Sequence, residues 1–130
     1  MAKRVVIADD EASIVTSLEF LMHRRGYEVR IARDGEEALA LVEQFLPDLI
    51  LLDVMMPRKS GYEVCRLLRE RPEFRHVKIV MLSARGRDAE AAKGLAVGAD
   101  SYITKPFSSR ELMSAIGTLL DAGTAQDDVR

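Results

Sequence analysis

Five polar side chains whose chemistry suits phosphoryl transfer come directly after strand-like apolar runs of the sequence. They are Asp9 and Asp10 after the first run, Asp53 after the third, Ser83 after the fourth and Lys105 after the fifth. Three carboxylates sharing one shallow pocket repel one another, since like charges about 4 Å apart cost on the order of 4 kcal/mol at a surface-like dielectric. A hard divalent cation relieves that repulsion. Mg²⁺, or Mn²⁺ in its place, accepts such an open and incomplete set of oxygen ligands.

A hydroxyl and a lysine opposite that cation complete the requirements of a phosphoryl group. Lys105 would neutralise phosphoryl oxygens and Ser83 would donate a hydrogen bond to one of them. With its charge held by the cation, Asp53 would act as a nucleophile toward phosphorus and form an acyl phosphate. Taken singly, an Asp-Asp pair is more often a helix cap, and a lone serine or lysine after a strand is usually a turn or solvated residue. Their common position at strand ends favours function.

The elements that must position these side chains form a regular alternation. The apolar runs are Val5–Ala8, Val29–Ala32, Leu49–Leu52, Val77–Leu82 and Ser101–Thr104. Segments with helical spacing lie between and after them, the fourth of which, Asp88–Val97, is alanine-rich and contains Gly94. Ser108 and Glu111 have the spacing of a capping box for the fifth helix. The pattern predicts an α/β fold of five β–α units with a parallel sheet, whose carboxyl edge binds ligands.

The composition fits one compact domain. The chain has 130 residues, 48% hydrophobic and 31% charged, with a net charge of −2 that gives no general attraction to nucleic acid or anionic membrane. We expect the domain to span residues 1–120, and 121–130 to be a polar tail or the start of a linker, with a stand-alone protein favoured. No run is long enough to span a bilayer, and the N-terminus is too short and acidic for a signal peptide. The single cysteine, Cys65, is expected to be an inert packing residue in a cytoplasmic protein.

Four segments resemble the receiver domain of two-component response regulators, the family of the chemotaxis response regulators. They are "VVIADDE", "DLILLDVMMPRKSGYEV", "IVMLSAR" and "GLAVGADSYITKPFS". Their order and spacing are specific to that family, and the match covers nearly everything from Lys3 to about Leu120. The resemblance implies a doubly wound sheet with strand order 2-1-3-4-5 and helices on both faces.

The resemblance also implies a role for the acidic residues. Asp53 matches the aspartate that takes a phosphoryl group from a phosphohistidine on a sensor kinase or phosphotransfer protein. Asp10 matches a direct Mg²⁺ ligand, and Asp9 the residue that holds the metal largely through water. Met55 matches the position whose backbone carbonyl coordinates the metal. Pro57 and Gly61 shape the loop that presents this carbonyl.

Four further matches concern the switch. Ser83 matches the hydroxyl that moves to the phosphoryl group, Lys105 the lysine that pairs with it, and Tyr102 the aromatic residue that then packs inward. Pro106 matches a proline preceded in this family by a cis bond. The surface of helix 4, strand 5 and helix 5 would thereby be remodelled for a downstream protein or output domain. The implied protein is not an enzyme in the usual sense, since it promotes only its own phosphorylation and dephosphorylation.

Some positions depart from the family pattern or tune it. Lys59 stands where the family commonly has an apolar residue, which affects loop packing or partner docking and leaves the chemistry intact. Arg85 and Met55 flank the site and would alter water access, and hence the lifetime of the acyl phosphate. Ala84 is small and leaves room for the phosphoryl group.

Three rival functions compete with this interpretation. A haloacid-dehalogenase-type phosphatase needs a second aspartate two residues after the nucleophile, where this chain has Met55, which cannot move a proton. A degenerate receiver acting only as an interaction module is disfavoured by the intact set of five polar residues. A flavin carrier lacks its Ser/Thr-rich phosphate loop. Since no segment resembles a helix-turn-helix and no face is basic, direct nucleic-acid binding by this domain is not expected.

Overall fold

Parallel strands form where aliphatic residues run without interruption. The computed structural model describes residues 2–84 and 97–128, and within them five strands build one sheet. These are β1 (Arg4–Ala8), β2 (Glu28–Ala32), β3 (Leu49–Asp53), β4 (Lys78–Ala84) and β5 (Ser101–Lys105). All neighbours are parallel and the order is β2-β1-β3-β4-β5, which confirms the predicted topology.

Helices fill the connections that the structure describes. They are α1 (Ala12–Arg24), α2 (Gly35–Phe45), α3 (Gly61–Glu70) and a C-terminal helix (Ser109–Asp128), with a 3₁₀ turn at Pro72–Phe74. As predicted, Ser108 caps the C-terminal helix, its hydroxyl accepting from the Glu111 amide at 3.0 Å. None of the described helices is long and apolar enough to cross a membrane.

The sheet is covered on both faces, which explains why the central strands have apolar residues at consecutive positions between their ends. Along β1, Val6 and Ala8 face a core formed with α2 and α3, whereas Val5 and Ile7 face a core formed with α1 and the C-terminal helix. β3 and β4 alternate in the same way, and all five residues of β3 are buried. Asp53 therefore ends a strand that has no solvent-facing side until it leaves the sheet.

Arg69 of α3 fixes the segment that leads into β5. Its guanidinium donates to the Gly98 carbonyl at 2.9 Å and to the Val77 carbonyl at 2.8 Å, and pairs with Asp100 at 2.7 Å. Asp100 in turn accepts from the Ile79 amide of β4 at 2.8 Å. This network joins α3, β4 and the start of β5, so the strand that carries Lys105 is anchored at its N-terminal end.

Two expectations from the sequence need comment. The C-terminal helix continues to Asp128; residues 121–128 contain alanines and no proline, so nothing in them stops a helix. That residues 121–130 form a tail or the start of a linker stays a prediction. The domain boundary at residue 120 stays a prediction. The predicted helix Asp88–Val97 lies outside the described residues except for Val97, and Arg85 lies outside them as well.

Candidate functional site

Three carboxylates meet at the carboxyl edge of the sheet. Asp9 and Asp10 leave β1 and Asp53 ends the adjacent β3, and one carboxylate oxygen from each lies within 4.8 Å of the others. Asp9 is fully buried and Asp53 is 6% exposed, whereas Asp10 is exposed. This set of hard oxygen donors, closed at the bottom and open toward solvent, fits a hydrated Mg²⁺.

Lys105 supplies the nearest positive charge to these carboxylates. Its ammonium nitrogen lies 3.0 Å from Asp9 Oδ2, 3.6 Å from Asp53 Oδ1 and 3.9 Å from Glu11 Oε1. Asp9 is held from its other oxygen, which accepts from the Glu11 amide at 2.9 Å. The sequence did not single out Glu11, although its place directly after the acidic pair was a visible signal.

The electrostatics of the pocket keep Asp53 close to protonation. Burial, reinforced by the negative charge of Asp9, raises the pKa of Asp53 to about 6, against the opposing effects of Lys105 and a hydrogen bond from the Met55 amide. For Lys105, burial acts to lower the pKa, but the hydrogen bond to Asp9 and the charges of Asp53, Asp9 and Glu11 outweigh it and raise the pKa. The single positive charge of Lys105 thus does not neutralise the acidic groups, and a bound cation is expected to offset the remaining negative charge.

The loop after β3 packs closely against Asp53, the candidate phosphoacceptor. The Met55 amide lies 3.3 Å from Asp53 Oδ1, and its side chain is 70% exposed. At the far end, the Gly61 amide donates to the Val54 carbonyl at 2.9 Å. A Cβ at Gly61 would lie 2.3 Å from the Asp53 carbonyl oxygen, so only glycine lets the start of α3 approach this closely. Gly61 therefore sets the distance between α3 and the site.

A Gly61→Ala substitution tests this close approach. We expect the clash with the Asp53 backbone to lower the free energy of unfolding by about 1–3 kcal/mol and to weaken Mg²⁺ binding, both measurable by denaturant titration and calorimetry. Gly26→Ala is the matched control: Gly26 has φ +79° but nothing within 4 Å of its added Cβ. It should lose stability through backbone strain and keep its Mg²⁺ affinity. Unchanged Mg²⁺ affinity in Gly61→Ala would contradict this role.

The middle of the same loop is bound to α2. Arg58 has φ +72°, and the Pro57 carbonyl accepts from the Lys59 amide at 2.9 Å, which closes a γ-turn around it. The Arg58 guanidinium pairs with Asp34, the N-cap of α2, at 3.3 Å. The Lys59 carbonyl lies against Gly35, where a Cβ would meet it at 2.3 Å. Pro57 is thus a turn residue, as predicted, while the part played by Asp34 and Gly35 was missed because it depends on contact between distant segments.

Lys59 has a local explanation. Its ammonium nitrogen lies 3.7 Å from Glu63 Oε2, one helical turn on, and its side chain is partly buried. The basic residue at this position is therefore used to support the start of α3. It lies outside the acidic pocket.

The structure also describes the surroundings of Ser83, Tyr102, Pro106 and Cys65. Ser83 is 1% exposed on β4, beside Thr104 of β5. Tyr102 is partly buried and packs against the core on the α2–α3 face, and its hydroxyl is buried without a hydrogen-bond partner among the described residues. The Lys105–Pro106 peptide bond is cis, as expected. Cys65 is fully buried, and burial raises the pKa of its thiol to about 11, in agreement with an inert packing residue.

An open cleft of about 620 Å³ leads to the acidic groups. Its lining combines the charged side chains with an apolar rim, and consists of Asp10, Glu11, Ile14, Asp53, Met55, Lys105 and Pro106. The cleft is wide enough for a group attached to another macromolecule.

Comparison with known proteins gives a consistent result. The family model of the response regulator receiver domain matches residues 5–117. Among curated relatives, the chain is 42% identical to the phosphate regulon transcriptional regulatory protein PhoB of Rhizobium meliloti and 46% identical to the alkaline phosphatase synthesis transcriptional regulatory protein PhoP of Bacillus subtilis. Each alignment covers 92% of this chain, but only 53% and 49% of the relatives. The chain thus spans about half the length of these relatives.

Solved structures agree at the level of the fold and the family. The chemotaxis response regulator CheY4 of Vibrio cholerae superposes with a TM-score of 0.85 at 31% identity, covering 92% of this chain and 99% of that one. The receiver domain of the Francisella response regulator 1452 gives a TM-score of 0.85 at 31% identity, covering 93% and 98%. Both likenesses extend over the elements that carry the acidic cleft.

Proposed function

Because this chain belongs to the family of response regulator receiver domains, and is a phosphoacceptor switch of the two-component type, we propose that Asp53 is its phosphoacceptor. The observation that carries the proposal is the convergence of Asp53, Asp9, Asp10 and Lys105 at the mouth of one cleft. The donor would be a phosphohistidine on a sensor kinase or phosphotransfer protein, whose larger surface the open cleft accommodates.

The reaction transfers the phosphoryl group without net hydrolysis. A carboxylate oxygen of Asp53 bonds to phosphorus while the bond from phosphorus to the donor's imidazole nitrogen breaks, and the electron pair of that bond leaves with the imidazole. Lys105, now 3.6 Å from Asp53 Oδ1, is placed to pair with a phosphoryl oxygen. Ser83, on the neighbouring strand β4, is placed to donate to another.

Receiver domains generally bind Mg²⁺ at this acidic pocket, and the three carboxylates would hold it here. Asp10 would be a direct ligand, Asp9 would act largely through water, and Met55 would offer its backbone carbonyl. Bound there, Mg²⁺ or Mn²⁺ supplies positive charge that offsets the carboxylates and the phosphoryl oxygens. The chain's own contribution is to hold Asp53 in position through β3 and the Met55 amide.

The output would follow from a change of contacts around the modified residue. Ser83 would move toward the phosphoryl group, and the packing of Tyr102 would change with it. The resulting surface, formed by the predicted fourth helix with β5 and the C-terminal helix, would bind a downstream protein or an output domain. We propose that the domain turns over no other substrate, since no general acid follows Asp53 at the position held by Met55.

A single incubation tests the proposal against its rivals. With Mg²⁺ and a small acyl phosphate, the full chain should gain one phosphoryl group per molecule by intact mass, and should gain none when EDTA replaces Mg²⁺. Repeated turnover of phosphomonoesters would favour a phosphatase. Complete absence of modification, with beryllofluoride also failing to shift the NMR spectrum, would favour a pure interaction module and overturn the proposal.

A further inference from the structure

A second cleft, of about 280 Å³, lies between α1 and the first turn of the C-terminal helix. Its lining is strongly basic over an apolar base and consists of Leu21, Arg24, Arg25, Ser109, Arg110 and Met113. We call it the basic cleft. Its three arginines come from two elements far apart in sequence, in a chain whose net charge is −2.

The three arginines of the basic cleft have no acidic partner among the side chains that the structure describes, and they are grouped in one concavity. Elsewhere among the described residues, five arginines each lie 2.6 to 3.3 Å from a carboxylate oxygen: Arg4, Arg58, Arg66, Arg69 and Arg71. Among the side chains of residues 2–83 and 97–120, no carboxylate oxygen lies within 4.0 Å of a guanidinium nitrogen of Arg24, Arg25 or Arg110. Three like charges therefore line one concavity without an internal counter-charge.

Helix electrostatics explain only part of this arrangement. Arg24 lies in the last turn of α1, where a cation offsets the helix dipole, and its guanidinium stacks over Phe20 at 5.7 Å. Arg110 lies in the first turn of the C-terminal helix, where a cation is unfavourable. The apolar base formed by Leu21 and Met113 strengthens the repulsion by reducing the local solvent screening. A bound anion would relieve it.

We propose that the basic cleft binds a phosphate-class oxyanion, either free or as the phosphate end of a small ester. Guanidinium groups pair bidentately with phosphate oxygens, and three of them suit a multiply charged anion better than a single carboxylate. The cleft holds a group of phosphate or pyrophosphate size and is too small for a folded partner to enter. This site is separate from the acidic cleft, with which it shares no lining residue.

The test is an NMR titration of the full 130-residue chain with pyrophosphate, in EDTA and at constant ionic strength. We expect saturable shifts of the backbone amides around Leu21–Gly26 and Ser109–Met113, with little change near Asp53. Arg25→Gln and Arg110→Gln should each weaken binding about fivefold, the upper end for an exposed ion pair. Arg66→Gln, which removes an exposed arginine paired with Glu70 on α3, should leave the affinity unchanged.

The outcomes of the titration distinguish a phosphate ester from a free inorganic anion, and they also show whether the proposed anion site exists. Binding of adenosine diphosphate at least as tight as that of pyrophosphate would support an ester, whereas binding of pyrophosphate alone would support a free inorganic anion. Shifts that do not saturate, or affinities that the two cleft variants leave within twofold of wild type, would overturn the proposal. Thermal unfolding of each variant checks that it remains folded.

Discussion

Asp53→Asn should abolish modification of this protein by an acyl phosphate in the presence of Mg²⁺. The amide preserves the shape of the side chain but is a far weaker nucleophile than the carboxylate, and it removes one of the three carboxylates that could hold a metal ion. We expect the rate of phosphoryl incorporation, followed by intact mass, to fall at least about 1,000-fold, as it does when a covalent nucleophile is lost. Among the carboxylates that line the cleft, Asp53 is the one that ends a strand. The Met55 amide nitrogen lies 3.3 Å and the Lys105 ammonium nitrogen 3.6 Å from its Oδ1.

Asp34→Asn is the matched control for this experiment. It makes the same chemical change at the N-cap of α2, where asparagine caps as well as aspartate does. The variant loses the ion pair with Arg58 but should be phosphorylated at close to the wild-type rate. If Asp53→Asn were still modified at a comparable rate, the phosphoacceptor would be another residue, and peptide mapping would identify it.

Asp53→Asn should also stabilise the metal-free protein. Asp53 has a pKa of about 6 in the folded state against 3.8 as a model value, so the folded state holds a proton more tightly than the unfolded state. Stability should therefore fall as the pH rises from about 4 to about 6, and the full shift corresponds to about 3 kcal/mol at neutral pH. Solvent at the open cleft reduces this, and we expect Asp53→Asn to raise the free energy of unfolding by about 1–3 kcal/mol at pH 7.

Urea denaturation in EDTA at pH 4 to pH 7 measures this effect. The difference in the free energy of unfolding between Asp53→Asn and wild type should be small at pH 4, because this pH is close to the unfolded pKa of 3.8 and little of the linked stability has yet been lost. It should be largest at pH 7. Mg²⁺ should narrow the difference, because it binds the folded wild type and not the unfolded chain. A difference that is independent of pH would show that the gain does not come from the charge of Asp53.

The sequence was sufficient to predict the features that depend on local pattern. The continuous apolar runs ending in Asp53 and Ser83 predict buried parallel strands, because a strand covered on both faces has no polar side. The caps of α2 and α3 also had a local signal that was overlooked: Asp34 and Ser60 each precede a glutamate by three residues. The local pattern does not fix where the C-terminal helix ends, because the small polar residues after residue 120 are compatible with either a coil or a helix.

The features that escaped prediction depend on contacts between distant segments. The left-handed conformation of Arg58 follows from the γ-turn and from the ion pair with Asp34, neither of which leaves a pattern in the residues around Arg58. The bonds of Arg69 to the Gly98 carbonyl and Asp100 connect residues about thirty positions apart. The ion pair of the exposed Glu11 with Lys105, at 3.9 Å, likewise depends on β1 and β5 ending at the same edge of the sheet.

The contact between Gly35 and Lys59 has a consequence for genetics. Because a methyl group at residue 35 would collide with the Lys59 backbone, it would displace the loop that connects Asp53 to α3. A screen for signalling-defective alleles should therefore recover substitutions at Gly35 along with those at the aspartates, although Gly35 lies on another helix. Second-site revertants of such alleles should map to the turn around Arg58, where a change of backbone geometry relieves the collision. Substitutions at the start of α2 would thus affect signalling through the loop that leads to the start of α3, although the two segments are far apart in the sequence.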